Sequence, residues 1–242
     1  MKSLHYGAFV MGALAVLNVA ILQRNVEAAP SAAGGVRGMI KLDGLAPHQP
    51  AIDMSKEPNC AAMHQDKPIR GESVVVGPNG GLANVVVFVS QGLTGNQVTH
   101  SDTVTMTQKG CQYLPHVVAV DAGQPMKILN ADQALHNVHP APMKNTEWNK
   151  SQQPGAAPFG VTWTNEEVAI PVKCNIHPWM RGYVVVVKGP YSVTDENGSF
   201  NLNLQPGNYT LTAWQETYGT QTQAVTVTAG KPATVNFSFR AK

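Results

Sequence analysis

The sequence predicts an all-β protein that consists of two β-sandwiches. Short runs rich in valine, threonine and aromatic residues recur along the chain, and clusters of Gly, Pro and Asn separate them. The chain has 242 residues, which is enough for two small β-domains after removal of an export signal. No segment has the periodicity of a helix longer than a turn or two. The predicted strands cover residues 35–40, 74–76, 85–89, 104–107, 117–120, 126–129, 184–187, 200–204, 209–213, 224–228 and 233–239.

The N-terminus has the order of a secretory signal peptide. Lys2 is followed by an apolar stretch at 8–22 and then by small residues, a pattern that predicts a signal peptide over residues 1–28. The apolar stretch is short for a membrane span. Arg24 and Glu27 are atypical of a cleavage region, so an uncleaved N-terminal anchor is the alternative. We expect a periplasmic or secreted protein without a membrane span after cleavage.

The charge balance argues against two classes of partner. Removing Lys2, Arg24 and Glu27 from the 17 basic and 15 acidic side chains leaves a net charge of +1. A near-neutral chain offers no electrostatic attraction for nucleic acid and no polybasic membrane patch.

One loop combines three side chains that bind soft metals. Cys174, His177 and Met180 lie within seven residues, directly before a run of valines. A tight loop between two antiparallel strands would point all three at one metal. Copper that changes oxidation state is held by two imidazoles, a thiolate and a weak axial thioether. The alternative is that Cys174 and Met180 only fill the core, as these residue types commonly do.

The second imidazole must come from another segment. Residues 130–139 follow a predicted strand and contain two candidates, His136 and His139. The residues alone leave both open.

At these positions the chain resembles the cupredoxins, and within them the amicyanins, which have a short ligand loop and the same His-Asn-Val-His order. The resemblance covers 135–139 and 174–182 and favours the first histidine of the pair. It implies one copper ion with the ligands His136, Cys174, His177 and Met180. It also implies that Asn137 ties the two ligand loops together. The Greek-key β-sandwich of this family would span 103–188.

The resemblance implies that the protein shuttles single electrons between redox proteins, such as a c-type cytochrome or a periplasmic dehydrogenase or reductase. In cupredoxins the loop histidine reaches the surface inside an apolar patch, which here would expose His177. The patch would consist of Leu135, Pro140, Pro142, Pro178 and Trp179. Such a surface suits weak, rapidly exchanging contacts.

Two other classes of function use copper. A copper carrier or storage protein would have the same ligands, and this alternative stays open. A copper oxidase or nitrite reductase would need further copper held by histidine clusters, and the remaining histidines are separated in the sequence: His48, His64, His100, His116 and His139. We therefore expect no enzymatic activity.

The residues after the copper loop resemble the transthyretin-like β-sandwich of carboxypeptidase regulatory domains. Segments 192–200 and 206–213 have its Gly-containing turn, alternating strand, Pro-Gly turn and returning strand. The strands that this family places first lie before the copper region, at 35–40 and 84–89. We predict a discontinuous sandwich that carries an inserted domain, because exposed loops tolerate insertions; two tandem domains are the alternative. The predicted parts are 29–98, the inserted cupredoxin domain 103–188, and 189–242.

Two cysteines remain once Cys174 is assigned to copper. In an exported protein, Cys60 and Cys111 are expected to form a disulfide that connects the inserted domain to its host. The alternative is a second metal site formed by Cys60, His64, Cys111 and His116. The spacing of these residues is looser than in structural zinc sites.

Overall fold

The structure is a computed structural model that describes residues 34–94 and 100–241, and it confirms the all-β prediction. The predicted signal peptide lies outside the described residues. The strands are β1 Gly34–Asp43, β2 Val86–Gln91, β3 Val104–Gln108, β4 Tyr113–Leu114, β5 Val117–Asp121, β6 Pro125–Asn130, β7 His136–Pro140, β8 Lys150–Gln152, β9 Phe159–Thr162, β10 Glu167–Lys173, β11 Arg181–Val187, β12 Tyr191–Val193, β13 Ser199–Leu204, β14 Gly207–Gln215, β15 Gly219–Val227, β16 Ala233–Thr234 and β17 Phe237–Arg240. One short helix, α1 Pro58–Ala62, interrupts them in the described part of the chain.

One sandwich combines strands from both ends of the chain. Its first sheet has the order β13-β1-β16, with β17 also paired to β1, and its second sheet has the order β12-β2-β14-β15. The side chains between the two sheets are apolar and buried, including Ile40, Val87, Leu202, Leu211 and Phe237. Strands before and after the middle of the chain therefore share one core.

The middle of the chain forms the other sandwich. One sheet has the order β5-β11-β10-β7-β8 and the other has the order β4-β3-β6-β9. Its core contains Met106, Ile128, Ile170 and Val184, and it also contains Cys174 and Met180. The ligand loop predicted from the sequence is thus packed against the centre of this sandwich.

The alternating pattern of β2 explains how the two sandwiches meet. Val87 faces the core of the first sandwich, whereas Val86 packs with Val117, Val185 and Trp214 in a separate apolar cluster. Successive side chains of a strand point to opposite faces. Because Val86 and Val87 are both buried, β2 has apolar contacts on both faces and joins the two sandwiches.

Two predicted strands differ from the structure. Residues 74–76 form no strand and contribute only an isolated bridge between Val76 and Leu82. The predicted strand 233–239 divides into β16 and β17. At the break, the backbone carbonyl of Val235 lies where a Cβ of Gly38 would be. Asn236 Oδ1 then accepts the hydrogen bond of the Met39 amide in place of a backbone carbonyl, at 2.9 Å.

A buried carboxylate organises the connection after β7. Glu167 accepts hydrogen bonds from the backbone amides of residues 143–145 and from the Asn145 side chain. Burial raises the pKa of Glu167, but these hydrogen bonds outweigh burial and hold the pKa below its ordinary value. No helix in the described residues is long and apolar enough to cross a membrane.

Candidate metal centre

The ligand loop is a tight connection between two paired strands. Cys174 follows the end of β10, and Met180 precedes the start of β11. The amide of Cys174 donates to the carbonyl of Met180 at 3.1 Å, and the amide of Met180 donates to the carbonyl of His177 at 2.9 Å. These two hydrogen bonds hold the loop closed, so that its side chains converge.

Three metal-binding side chains meet in the interior. The Nδ1 atoms of His136 and His177 are 3.0 Å apart, and Cys174 Sγ lies 3.8 Å from His177 Nδ1. One donor atom from each of the three residues lies within 4.8 Å of the donor atoms of the other two. Met180 follows on the same loop and is 1% exposed. Two imidazoles and a thiol beside a buried thioether are the donor set that copper requires when it changes oxidation state, so the residues present fit a single copper ion.

His139, the other histidine considered from the sequence, lies outside this group. Its Nδ1 is 3.1 Å from Asn175 Oδ1, and its Nε2 is 2.8 Å from Glu147 Oε1. Both ring nitrogens therefore have partners away from Cys174. The structure places His136, and not His139, with the other donors.

Asp132 orients the first histidine, and the sequence analysis did not identify it. Its carboxylate lies 2.8 Å from His136 Nε2 and accepts the backbone amides of Gly110 and Cys111 at 2.7 and 2.8 Å. A carboxylate at Nε2 keeps the proton on that nitrogen and leaves the Nδ1 lone pair for a metal. Burial raises the pKa of Asp132, but the bonds from His136 and the two amides outweigh it and lower the pKa.

Asn137 connects the two loops that carry the ligands. Its Oδ1 accepts the Asn175 amide at 2.8 Å and lies 3.3 Å from Cys174 Sγ, while its Nδ2 donates to Asn149 Oδ1 at 2.7 Å. This is the bridging position that the cupredoxin resemblance assigns to Asn137.

The electrostatics favour the metal-binding charge states of Cys174 and His177, whereas for His136 the bonds to Asp132 and Cys174 outweigh burial and raise the pKa. Burial raises the pKa of Cys174, but hydrogen bonds from His136 and from nearby backbone amides outweigh it and lower the pKa. For His177, burial and the neighbouring His136 both lower the pKa. A thiolate and a neutral imidazole are the forms that coordinate a metal.

The prediction that His177 reaches the surface is wrong. His177 is 2% exposed, because the segment around α1 lies over its ring. Cys60 Sγ and Glu57 Oε2 are each 3.8 Å from His177 Nε2. The nitrogen that would contact a partner in the predicted arrangement is therefore covered by this protein's own chain.

The predicted apolar patch is only partly at the surface. Leu135 is 37% exposed and Pro178 is exposed, whereas Pro140 is buried and Pro142 is half-buried. Trp179 is half-buried, and its indole N–H donates to the Cys111 carbonyl at 3.1 Å. The Trp179 ring lies against the imidazole of His177, with 5.2 Å between their centroids. Trp179 thus connects the buried ligand with the edge of the protein.

Cys60 and Cys111 form a disulfide, with a Cα–Cα distance of 5.7 Å. The second metal site considered from the sequence does not form, since its two sulfurs are bonded to each other and its histidines bind elsewhere. His64 Nε2 is 2.8 Å from the Gly110 carbonyl, and His116 Nε2 is 3.1 Å from Glu216 Oε1. The disulfide instead fixes the segment that covers His177.

Comparisons with known proteins gave one family match and several structural matches, each over part of the chain. Residues 180–240 match the family described as the carboxypeptidase regulatory-like domain. No curated protein sequence matches the chain. The structure is similar to solved cupredoxins over part of the chain.

Three solved structures illustrate this similarity. A copper-containing nitrite reductase from Thermus scotoductus SA-01 is 18% identical with a TM-score of 0.33, and the match covers 41% of this chain and 26% of that one. A purple cupredoxin from Nitrosopumilus maritimus is 18% identical with a TM-score of 0.30 over 35% of this chain and 99% of its own. A Cu(I) form of an amicyanin variant is 21% identical with a TM-score of 0.32 over 42% of this chain and 98% of its own.

Proposed function

We propose that this is an exported protein with one type 1 copper ion that shuttles single electrons between redox proteins. The observation that carries the proposal is the convergence of His136 Nδ1, His177 Nδ1 and Cys174 Sγ in the interior, next to Met180. Bound copper would supply a one-electron couple. The protein's part is to hold the four donors in one arrangement.

Each ligand would have a separate role. Cys174 would provide the thiolate, His136 and His177 would complete the plane, and Met180 would be the weak axial ligand that tunes the potential. Asp132 holds the proton of His136 on Nε2, and Asn137 holds the two ligand loops together. Donors that are positioned before the reaction need little rearrangement when the charge changes.

The burial of the donors supports electron transfer over catalysis. Each of the four ligands is at most 3% exposed, so the arrangement has no open position for a substrate. We accordingly propose a protein without enzymatic activity, whose partners are redox proteins such as a c-type cytochrome or a periplasmic dehydrogenase or reductase. Trp179 is the residue we assign to partner contact, because it touches His177 and is half-exposed.

Copper carriage is the second candidate, and the covering segment argues against it. A carrier hands over its metal by exchange of ligands, which requires access to them. Here the disulfide holds Cys60 against His177. A covered histidine favours a retained ion over one that is passed on.

The visible absorption spectrum after addition of one equivalent of Cu(II) tests the proposal. We expect an intense blue colour in the parent protein and its loss in Cys174→Ser, with the fold retained. Ser55→Ala, on the exposed side of the covering segment, is a control that should stay blue. A colourless parent protein, or a blue serine variant, would refute the assignment of Cys174.

A further inference from the structure

An aromatic cleft lies on the copper-binding sandwich, outside the metal centre. It has a volume of about 530 Å³ and is formed by β9 and the residues around β8. Trp148, Phe159 and Trp163 form its apolar wall. The Trp148 ring lies 5.8 Å from Phe159 and 6.1 Å from Trp163, measured between centroids. Trp148 and Phe159 are only half-buried, so the wall presents partly exposed ring surfaces.

The cleft contains a polar group without a partner. Trp163 is 3% exposed, and its indole N–H has no hydrogen-bond partner within the described part of the protein. A buried donor without an acceptor costs free energy, and such groups are rare in folded proteins. Because the indole nitrogen itself has almost no accessible surface, a ligand oxygen can supply the acceptor only when the rings around Trp163 move aside.

The rim of the cleft is polar and has no carboxylate. The hydroxyls of Thr146, Thr162 and Thr164 have no hydrogen-bond partners among the described residues. Lys150 Nζ lies 4.1 Å from the centroid of Phe159, and the side-chain nitrogen of Asn149 is also free to donate. The rim therefore offers neutral hydroxyls, N–H donors and one cation.

We propose that this cleft binds a saccharide. A sugar ring has an apolar C–H face that packs on an aromatic ring and a periphery of hydroxyls that need donors and acceptors. The half-exposed ring of Trp148 matches the face, while the threonines, Asn149 and Lys150, which lies over the Phe159 ring, match the periphery. A flat aromatic ligand would pair with the wall but would leave the polar rim unused.

The cleft adjoins the metal centre without sharing its ligands. Asn149 Oδ1 accepts from Asn137, which in turn contacts Cys174. None of the four proposed copper ligands lines the cleft, so saccharide binding can be measured on the metal-free protein.

The test is a titration of the ¹⁵N-labelled, metal-free protein with cellohexaose, maltohexaose, N-acetylated chitohexaose and a polygalacturonate oligomer. The indole N–H signals report binding, and Trp163→Phe identifies the signal of Trp163. We expect one of these probes to shift the Trp163 signal. Trp148→Ala should weaken this binding about tenfold, because a stacked aromatic contact contributes about that much. Met143→Ala, which changes an exposed residue outside the cleft, should bind like the parent.

Thr162→Val is a second variant in case Trp148→Ala does not fold, because it keeps the shape of an exposed strand residue. It should weaken saccharide binding while the NMR spectrum of the protein remains that of the folded state. The proposal is overturned if none of the four probes shifts the Trp163 signal. It is also overturned if the cleft variants bind like the parent, or if 4-hydroxybenzoate shifts that signal and the saccharides do not.

Discussion

Replacing both Cys60 and Cys111 by serine would test whether the disulfide holds the cover over His177. The bond joins residues separated by 51 positions, and in the chain-entropy model a loop of that length stabilises by about 4 kcal/mol. Small domains have unfolding free energies of about 5–15 kcal/mol. We therefore expect the double variant to fold, with an unfolding free energy about 4 kcal/mol lower.

The same change should make the metal accessible. Without the bond, the segment that carries Cys60 can move away from His177, which it now approaches to 3.8 Å. We expect a Cu(I) chelator to remove copper at least about tenfold faster, which corresponds to only about 1.4 kcal/mol of easier opening. This is well within the stabilisation attributed to the disulfide.

Two measurements check this prediction: urea unfolding of the metal-free proteins, and the rate of copper loss to bathocuproine disulfonate. Ala62→Ser, on the exposed side of α1, is the matched control and should behave like the parent. Thiol titration of the unfolded parent should find one reactive group, that of Cys174. The reasoning fails if the double variant unfolds within about 1 kcal/mol of the parent and releases copper at the same rate.

Asp132→Asn should lower copper affinity about 10–100-fold, because the loss of a residue that orients a metal ligand typically has an effect of this size. A chelator competition assay measures the affinity. If the exposed Asp102→Asn lowers the affinity equally, Asp132 does not orient His136. Acidification should destabilise the protein through Glu167, because folding lowers the pKa of this side chain. The stabilisation that Glu167 contributes is fully present above the ordinary Glu pKa of about 4.3 and is lost as the pH falls through the lower pKa of the folded state. Glu167→Gln should flatten this part of the stability profile, whereas the exposed Glu166→Gln should not. Trp179→Lys should slow electron exchange with a c-type cytochrome in stopped-flow experiments, since the new charge must be desolvated on docking, while copper affinity changes little; an unchanged rate would remove Trp179 from the contact surface.

The sequence predicted correctly those features that depend on residues only a few positions apart. Cys174, His177 and Met180 are close in space because two hydrogen bonds close a short loop between paired strands. The sequence shows that spacing directly. The strands at 104–107 and 126–129 were also predictable, because their alternation reflects burial on one face.

Asp132 was missed although it lies only four positions before His136. Its carboxylate acts on the histidine because the chain turns there and because the amides of Gly110 and Cys111, more than twenty residues earlier, hold it in place. Carboxylates in turns are common, so the residue type alone was no signal. The predicted strand at 74–76 failed for another reason: it pairs with its neighbour only at the isolated Val76–Leu82 bridge, which is too short for a ladder.

The sequence by itself determined the all-β class and the chemistry of the donor set, because residue type and short-range spacing decide which atoms can bind a soft metal. Only the tertiary structure decided how accessible that set is. Cys60 lies 117 positions before His177, yet packs against its ring. A contact over that distance depends on how the two sandwiches and the disulfide bring the segments together, and no local pattern of residues records it.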